Sequence, residues 1–161
     1  MTPRPVPQAV RKRNQLTLAT DAAIGVVVLS AAIHFMKPGI SNLLWGLGCL
    51  AATSGTIALR SSIGARDIPS AELDEHELQL RTEAREDALR AATVMSVLIT
   101  LAAMVIVVLG QTQLTLDGAD VALFFAKLAS CQVLLVQFIV VRSLAGKINR
   151  DELISRTSTE V

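Results

Sequence analysis

"VALFFAKLASCQVLLVQFIVV", residues 121–141, is apolar throughout except for Lys127 and a few uncharged polar side chains. A helix that crosses about 30 Å of hydrocarbon needs about 20 such residues, so this run is long enough to span a bilayer. Three further stretches, 16–35, 40–59 and 91–109, meet the same requirement. Backbone groups in lipid must find hydrogen-bond partners inside their own segment, so each stretch reads as a helix. The period-two alternation of a membrane strand is absent from them. The expected fold class is therefore all-α, a four-helix transmembrane bundle.

Composition agrees with this reading. Of 161 residues, 52% are hydrophobic and 18% charged, against about a quarter charged in soluble domains. The charges fall in blocks that leave the four stretches almost free of them. A net charge of +1 gives no reason to expect nucleic acid as a partner. The lipid bilayer is the partner that the composition does imply.

Two breaks pair the stretches. Lys37-Pro38-Gly39 is a turn short enough to make 16–59 a helical hairpin, and Asp117-Gly118 closes a second hairpin over 91–141. Arg11-Lys12-Arg13 before the first stretch, with Ser30-Ala31-Ala32 near its end, has the look of a secretory signal. A cleavable apolar region is about 7–15 residues long; this one is longer and carries Asp21, so a retained first span is expected.

Orientation follows from the basic residues. The segments 1–15, 60–90 and 142–161 hold thirteen Lys and Arg, while the two other connections hold Lys37 alone. This asymmetry places both termini and the 60–90 loop in the cytoplasm. The acids of that loop do not alter the expectation, because the rule counts basic residues.

The cytosolic loop is the one sizeable polar piece. Pro69 and Ser70 suit a helix start, and Glu72, Asp74 and Glu75 bring negative charge to its first turn. Glu77 with Arg81, and Glu86 with Arg90, are acid-to-base pairs four residues apart. No Pro or Gly interrupts residues 71–109, so one continuous helix is expected to run from the loop into the third span, roughly 58 Å long at 1.5 Å per residue. Leu73 and Leu80 repeat at seven residues, but Asp87 takes the next heptad position, so no coiled coil is indicated. The segment reads as a solvated helix over the mouth of the bundle, with Leu73, Glu77, Leu80 and Arg81 as candidate contacts for a cytosolic partner.

"LDEHELQLRTEAREDALRAATVM", residues 73–95, resembles the juxtamembrane helix of a group of uncharacterised small multispanning prokaryotic membrane proteins. These carry D-E-R-x-x-x-[IL]-R-x-x-A just before a membrane helix. Asp74, Glu75, Leu80, Arg81 and Ala84 follow that pattern, with His76 in place of the arginine. The resemblance covers about 20 residues and implies a prokaryotic inner or cytoplasmic membrane, with no activity attached.

Polar side chains inside spans are costly and are functional candidates on that ground. Counting from the predicted inner ends at 1.5 Å per residue puts Asp21 roughly 7 Å deep, with Ser54, Ser96 and Gln137 near the same level. These four could form a hydrogen-bonded layer, with Asp21 either binding a proton or cation or lying at the interface among Arg11, Lys12 and Arg13. Lys127 lies roughly 10 Å from the outer face. Its stem can snorkel that far toward headgroups or Asp120, seven residues earlier, or its ammonium can lie over Trp45. Outer-leaflet anchoring is the expected role.

No metal site is expected: His76 lies four residues after Glu72, but zinc sites take three or four ligands. Cys49 and Cys131 fall at matching mid-membrane depth and read as inert thiols. The sequence has no C-x-x-C, H-E-x-x-H, G-x-x-x-x-G-K or G-x-S-x-G, so neither enzyme activity nor a cofactor is expected. Small residues recur at Gly48, Ala52 and Thr56, at Ala122, Ala126 and Ser130, and at Thr93, Ser96, Thr100 and Ala103. Such faces let helices approach closely, and a surplus one favours a homo-oligomer. Two functions stand: a non-catalytic accessory or regulatory subunit that contacts a partner through its cytosolic helix, and a minimal oligomeric transporter or channel with Asp21 or Lys127 on the path.

Overall fold

A computed structural model describes residues 7–63, 75–111 and 117–158. The described residues form four helices: α1, Gln8–Ala32; α2, Pro38–Ser62; α3, Glu75–Gln111; and α4, Gly118–Ser158. All four contain a stretch long and apolar enough to cross a membrane. The start of α1, the end of α2, the start of α3 and the end of α4 lie at one end of the molecule, here the terminal end, and the opposite ends of the four helices lie at the other, the hairpin end.

The turn chemistry explains the first hairpin. Proline disfavours helical conformation in the residue before it, and Lys37 is accordingly extended at φ −144°, ψ 72°. Pro38 then occupies the first turn of α2, where its missing N–H costs nothing. At the second hairpin the Asp117 carboxylate accepts a hydrogen bond from the Ala119 N–H, as a side chain capping α4 does.

The ends differ from expectation. α1 begins at Gln8, directly after Pro7, and stops at Ala32, so His34 and Phe35 lie in the turn rather than in a span. α3 runs unbroken from Glu75 to Gln111, the single helix expected there; residues 71–74 lie outside the described ones. α4 continues through most of the expected tail to Ser158. Hydropathy ends near Val141, but nothing at that point stops a helix, and Gly146 alone does not break it.

The packing is less symmetrical than two paired hairpins imply. Ala23 and Ile24 of α1, Ala52 and Leu59 of α2, and Phe138, Val141 and Ala145 of α4 form the core. α3 lies outside this trio and packs principally along α4, through buried Ala84 and Ala88. None of the residues in its most apolar stretch is buried, an arrangement that suits lipid as the solvent and not water. The expected bundle is thus three helices around a core with a fourth alongside.

α1 and α2 approach most closely. A Cβ added at Gly55 would sit 2.2 Å from Thr20 Oγ1, and one at Gly48 would sit 2.8 Å from Val27 Cγ2. Between them Ala52 is fully buried. The small face Gly48, Ala52 and Thr56 is therefore the α1 contact, with Gly55 added to it. The other two small faces are not used in this way: Ala122, Ala126, Thr93 and Thr100 are exposed.

Candidate functional site

Lys127 is wholly buried. Its Nζ lies 2.8 Å from His34 Nδ1 and 2.7 Å from Asn42 Oδ1, and donates to Ser41 Oγ. The anchoring expectation is therefore corrected: the stem turns into the molecule, against the turn after α1 and the start of α2, and does not snorkel outward. Nor is the ammonium paired with Trp45, because side chains of the first hairpin take all three of its N–H groups.

The proton arrangement is assigned with Lys127 as an ammonium. An ammonium donates three times and accepts nothing, so His34 Nδ1 is the acceptor and the proton sits on Nε2. Nε2 in turn donates to the Asp120 carbonyl at 2.8 Å. Ser41 accepts from Lys127 and donates to the Ser30 carbonyl at 2.6 Å. His34 stacks on Phe124, with ring centroids 6.3 Å apart, and meets Phe35 edge-on at 5.1 Å. A cation thus sits among three neutral acceptors beneath aromatic rings, at the hairpin end. None of its three direct partners is an anion; the Asp120 side chain lies two turns back along the same side of α4.

The local reason is the tight turn at Pro38. It folds the last residues before α2 onto the first turn of that helix, so His34 comes beside Ser41 and Asn42. Those partners were missed in the sequence. The signal that would have found them is the near-symmetrical placing of His34 and Ser41-Asn42 about Lys37-Pro38-Gly39.

The expected inner layer does not assemble. The Asp21 carboxylate accepts from Arg142 Nη1 at 2.8 Å, joining α1 to α4, both side chains partly exposed. Its partner is thus not one of the N-terminal basic residues. Arg13 instead donates to Asn149 and Glu152 on α4 at 2.9 and 3.0 Å. Ser96 pairs with Gln132, whose Nε2 donates to its hydroxyl at 2.9 Å. Ser54 is exposed on α2, and Gln137 faces a groove between α2, α3 and α4.

Of the cytosolic contact candidates, Leu80 and Arg81 are half-buried, and Arg81 lines that same groove. Leu73 lies outside the described residues, as does the side chain of Glu77. Farther along this arm, Lys147 of α4 pairs with Glu83 of α3, and Ser143 donates to Asp87. Both cysteines are free thiols, with Cys131 buried. Comparison with family models, curated proteins and solved structures finds no match for this chain.

Proposed function

We propose that this chain is a non-catalytic accessory or regulatory subunit of a prokaryotic cell membrane, with both termini in the cytoplasm, that contacts its partner through the helical arm at the terminal end. The observation that carries this reading is the length of α3 and α4. They run for 37 and 41 residues, against about 20 needed to cross the hydrocarbon. The surplus of both lies at the terminal end, where Glu83–Lys147 and Asp87–Ser143 hold the two helices side by side. On the α3 half, Leu78, Thr82, Glu86 and Leu89 are exposed and fall on one helix face by their spacing. Two apolar side chains on a face that would project into water are a surface suited to another protein.

The transport reading has less support. Lys127 has every N–H taken by groups of its own chain, and Asp21 is already paired with Arg142. A path residue needs a site that a substrate can reach.

Photoreactive side chains placed at positions 78, 82 and 86 of the full-length protein in cells test the proposal, with position 105 as the control at the other end of α3. The expected result is a discrete adduct to one protein from the first three and none from the control. Self- and lipid adducts alone, the same from every position, would remove the accessory reading. Ion flux into proteoliposomes that Asp21→Asn or Lys127→Met abolishes would replace it with transport.

A further inference from the structure

At the hairpin end two basic side chains face each other away from water. Lys127 Nζ lies 2.8 Å from His34 Nδ1, and both residues are buried. His34 Nε2 lies 2.8 Å from the Asp120 carbonyl, so α4 engages both ring nitrogens. The ring is carried by the turn between α1 and α2, and the same lysine reaches Ser41 and Asn42 on α2. The cluster therefore ties the first hairpin to the start of α4. The accessory reading makes no use of it.

This tie has room for one proton between its two nitrogens. With the lysine as an ammonium, Nδ1 accepts; if that proton moves to the ring, the amine accepts in its place. A second proton has no such place. It would set an imidazolium N–H against an ammonium N–H, with no lone pair between them and two like charges at contact distance. Among the described residues no carboxylate contacts either nitrogen. Lys37, in the turn, is a further cation and is exposed. On α4 the Asp117 carboxylate accepts from the Ala119 N–H, and Asp120 gives the ring its carbonyl. α2 offers only the neutral Ser41 and Asn42, and residues 112–116 after α3 include no titratable side chain.

We propose that His34 and Lys127 form an acid-opened latch, in which a proton taken up by His34 holds the α1–α2 turn away from α4. The turn releases, the ring takes up its proton in water, and the doubly charged pair does not close again. Acid thus selects a released state that is the minor one at neutral pH. Imidazole suits this task, since it ordinarily takes up a proton near pH 6.5. The released state binds one proton more than the closed one, so falling pH favours it, by at most about ten-fold per pH unit. The latch stands whichever way the chain lies in the membrane, and it does not rest on the accessory reading.

Spin-label distances in the full-length protein in detergent test this. The labels go on Met36→Cys in the turn and Ala119→Cys at the start of α4, both exposed positions, in a background with Cys49→Ala and Cys131→Ala. Between about pH 8 and about pH 5 a second, longer distance is expected to grow in. The ratio of short to long distances falls by up to about thirty-fold, ten-fold for each pH unit below the ordinary imidazole value. His34→Gln keeps an acceptor for Lys127 and does not titrate, so it is expected to hold the short distance throughout. Lys127→Met is expected to do the same, because its ring gains a charge with no cation opposite. Wild-type distances that do not change with pH overturn the proposal, as does a response that persists in either variant. His76, the chain's other histidine, is kept in every protein, so a response of its own would appear in both variants. Helicity by circular dichroism shows that each labelled protein is folded, and Lys127→Met serves if His34→Gln is not.

Discussion

Lys127 donates to His34, Ser41 and Asn42 from a position with no exposed surface. Hydrogen bonds to a charged group are worth about 1.5–3 kcal/mol, and removing one partner of a buried charge costs more than removing the charge itself. Ser41→Ala should therefore destabilise the protein by about 2 kcal/mol. Lys127→Met should cost less, because its partners are neutral and Ser41 still donates to the Ser30 carbonyl. In the Lys127→Met background, Ser41→Ala should lose at least about 1 kcal/mol less than in wild type. Denaturation midpoints in detergent for the four proteins of this cycle measure the coupling. Additive effects would mean that the lysine is oriented outward after all. Arginine is a poor substitute here, since a planar fork does not fit three point acceptors around one nitrogen.

At the level of elements, the α1–α2 contact depends on two glycines. Gly55→Ala places its Cβ 2.2 Å from Thr20 Oγ1, and relieving such overpacking costs about 1–3 kcal/mol. Thr20→Ala removes the obstructing oxygen, so the pair Gly55→Ala/Thr20→Ala should recover most of that loss in the same denaturation assay. A double variant no better than Gly55→Ala would mean that the helices do not meet there. α3 makes a separate prediction. Spin labels at positions 78 and 105 should lie about 40 Å apart at the straight-helix rise of 1.5 Å per residue. Half that distance would place a break at the membrane boundary. The continuity of α3 was legible because no Pro or Gly interrupts residues 75–109. That of α4 was not, because the apolar run ends at Val141, and the end of hydropathy marks the end of lipid, not of helix.

For the whole molecule, the asymmetry of Lys and Arg is the ground for the proposed orientation. Alkaline-phosphatase fusions after Lys37 or Asp117 should be active, and a fusion after Val161 inactive. Activity at Val161 would reverse the assignment of the arm to the cytoplasm and with it the accessory reading.

The number of long apolar helices, the helical fold and the position of the Lys37-Pro38 turn were all determined by sequence. Each is a local matter: the length of an apolar run, the backbone's need for partners in lipid, and the restriction that proline places on its neighbour. Which face of each helix turns inward was decided by tertiary structure alone. An apolar helix in lipid has no single hydrophobic side, so no periodicity reveals that α3 lies outside the trio or that Lys127 points to His34. Those choices came from close fit, Gly55 against Thr20 and Gly48 against Val27, and from polar groups that found partners on helices distant in the chain. A pattern read along one strand of sequence cannot contain either.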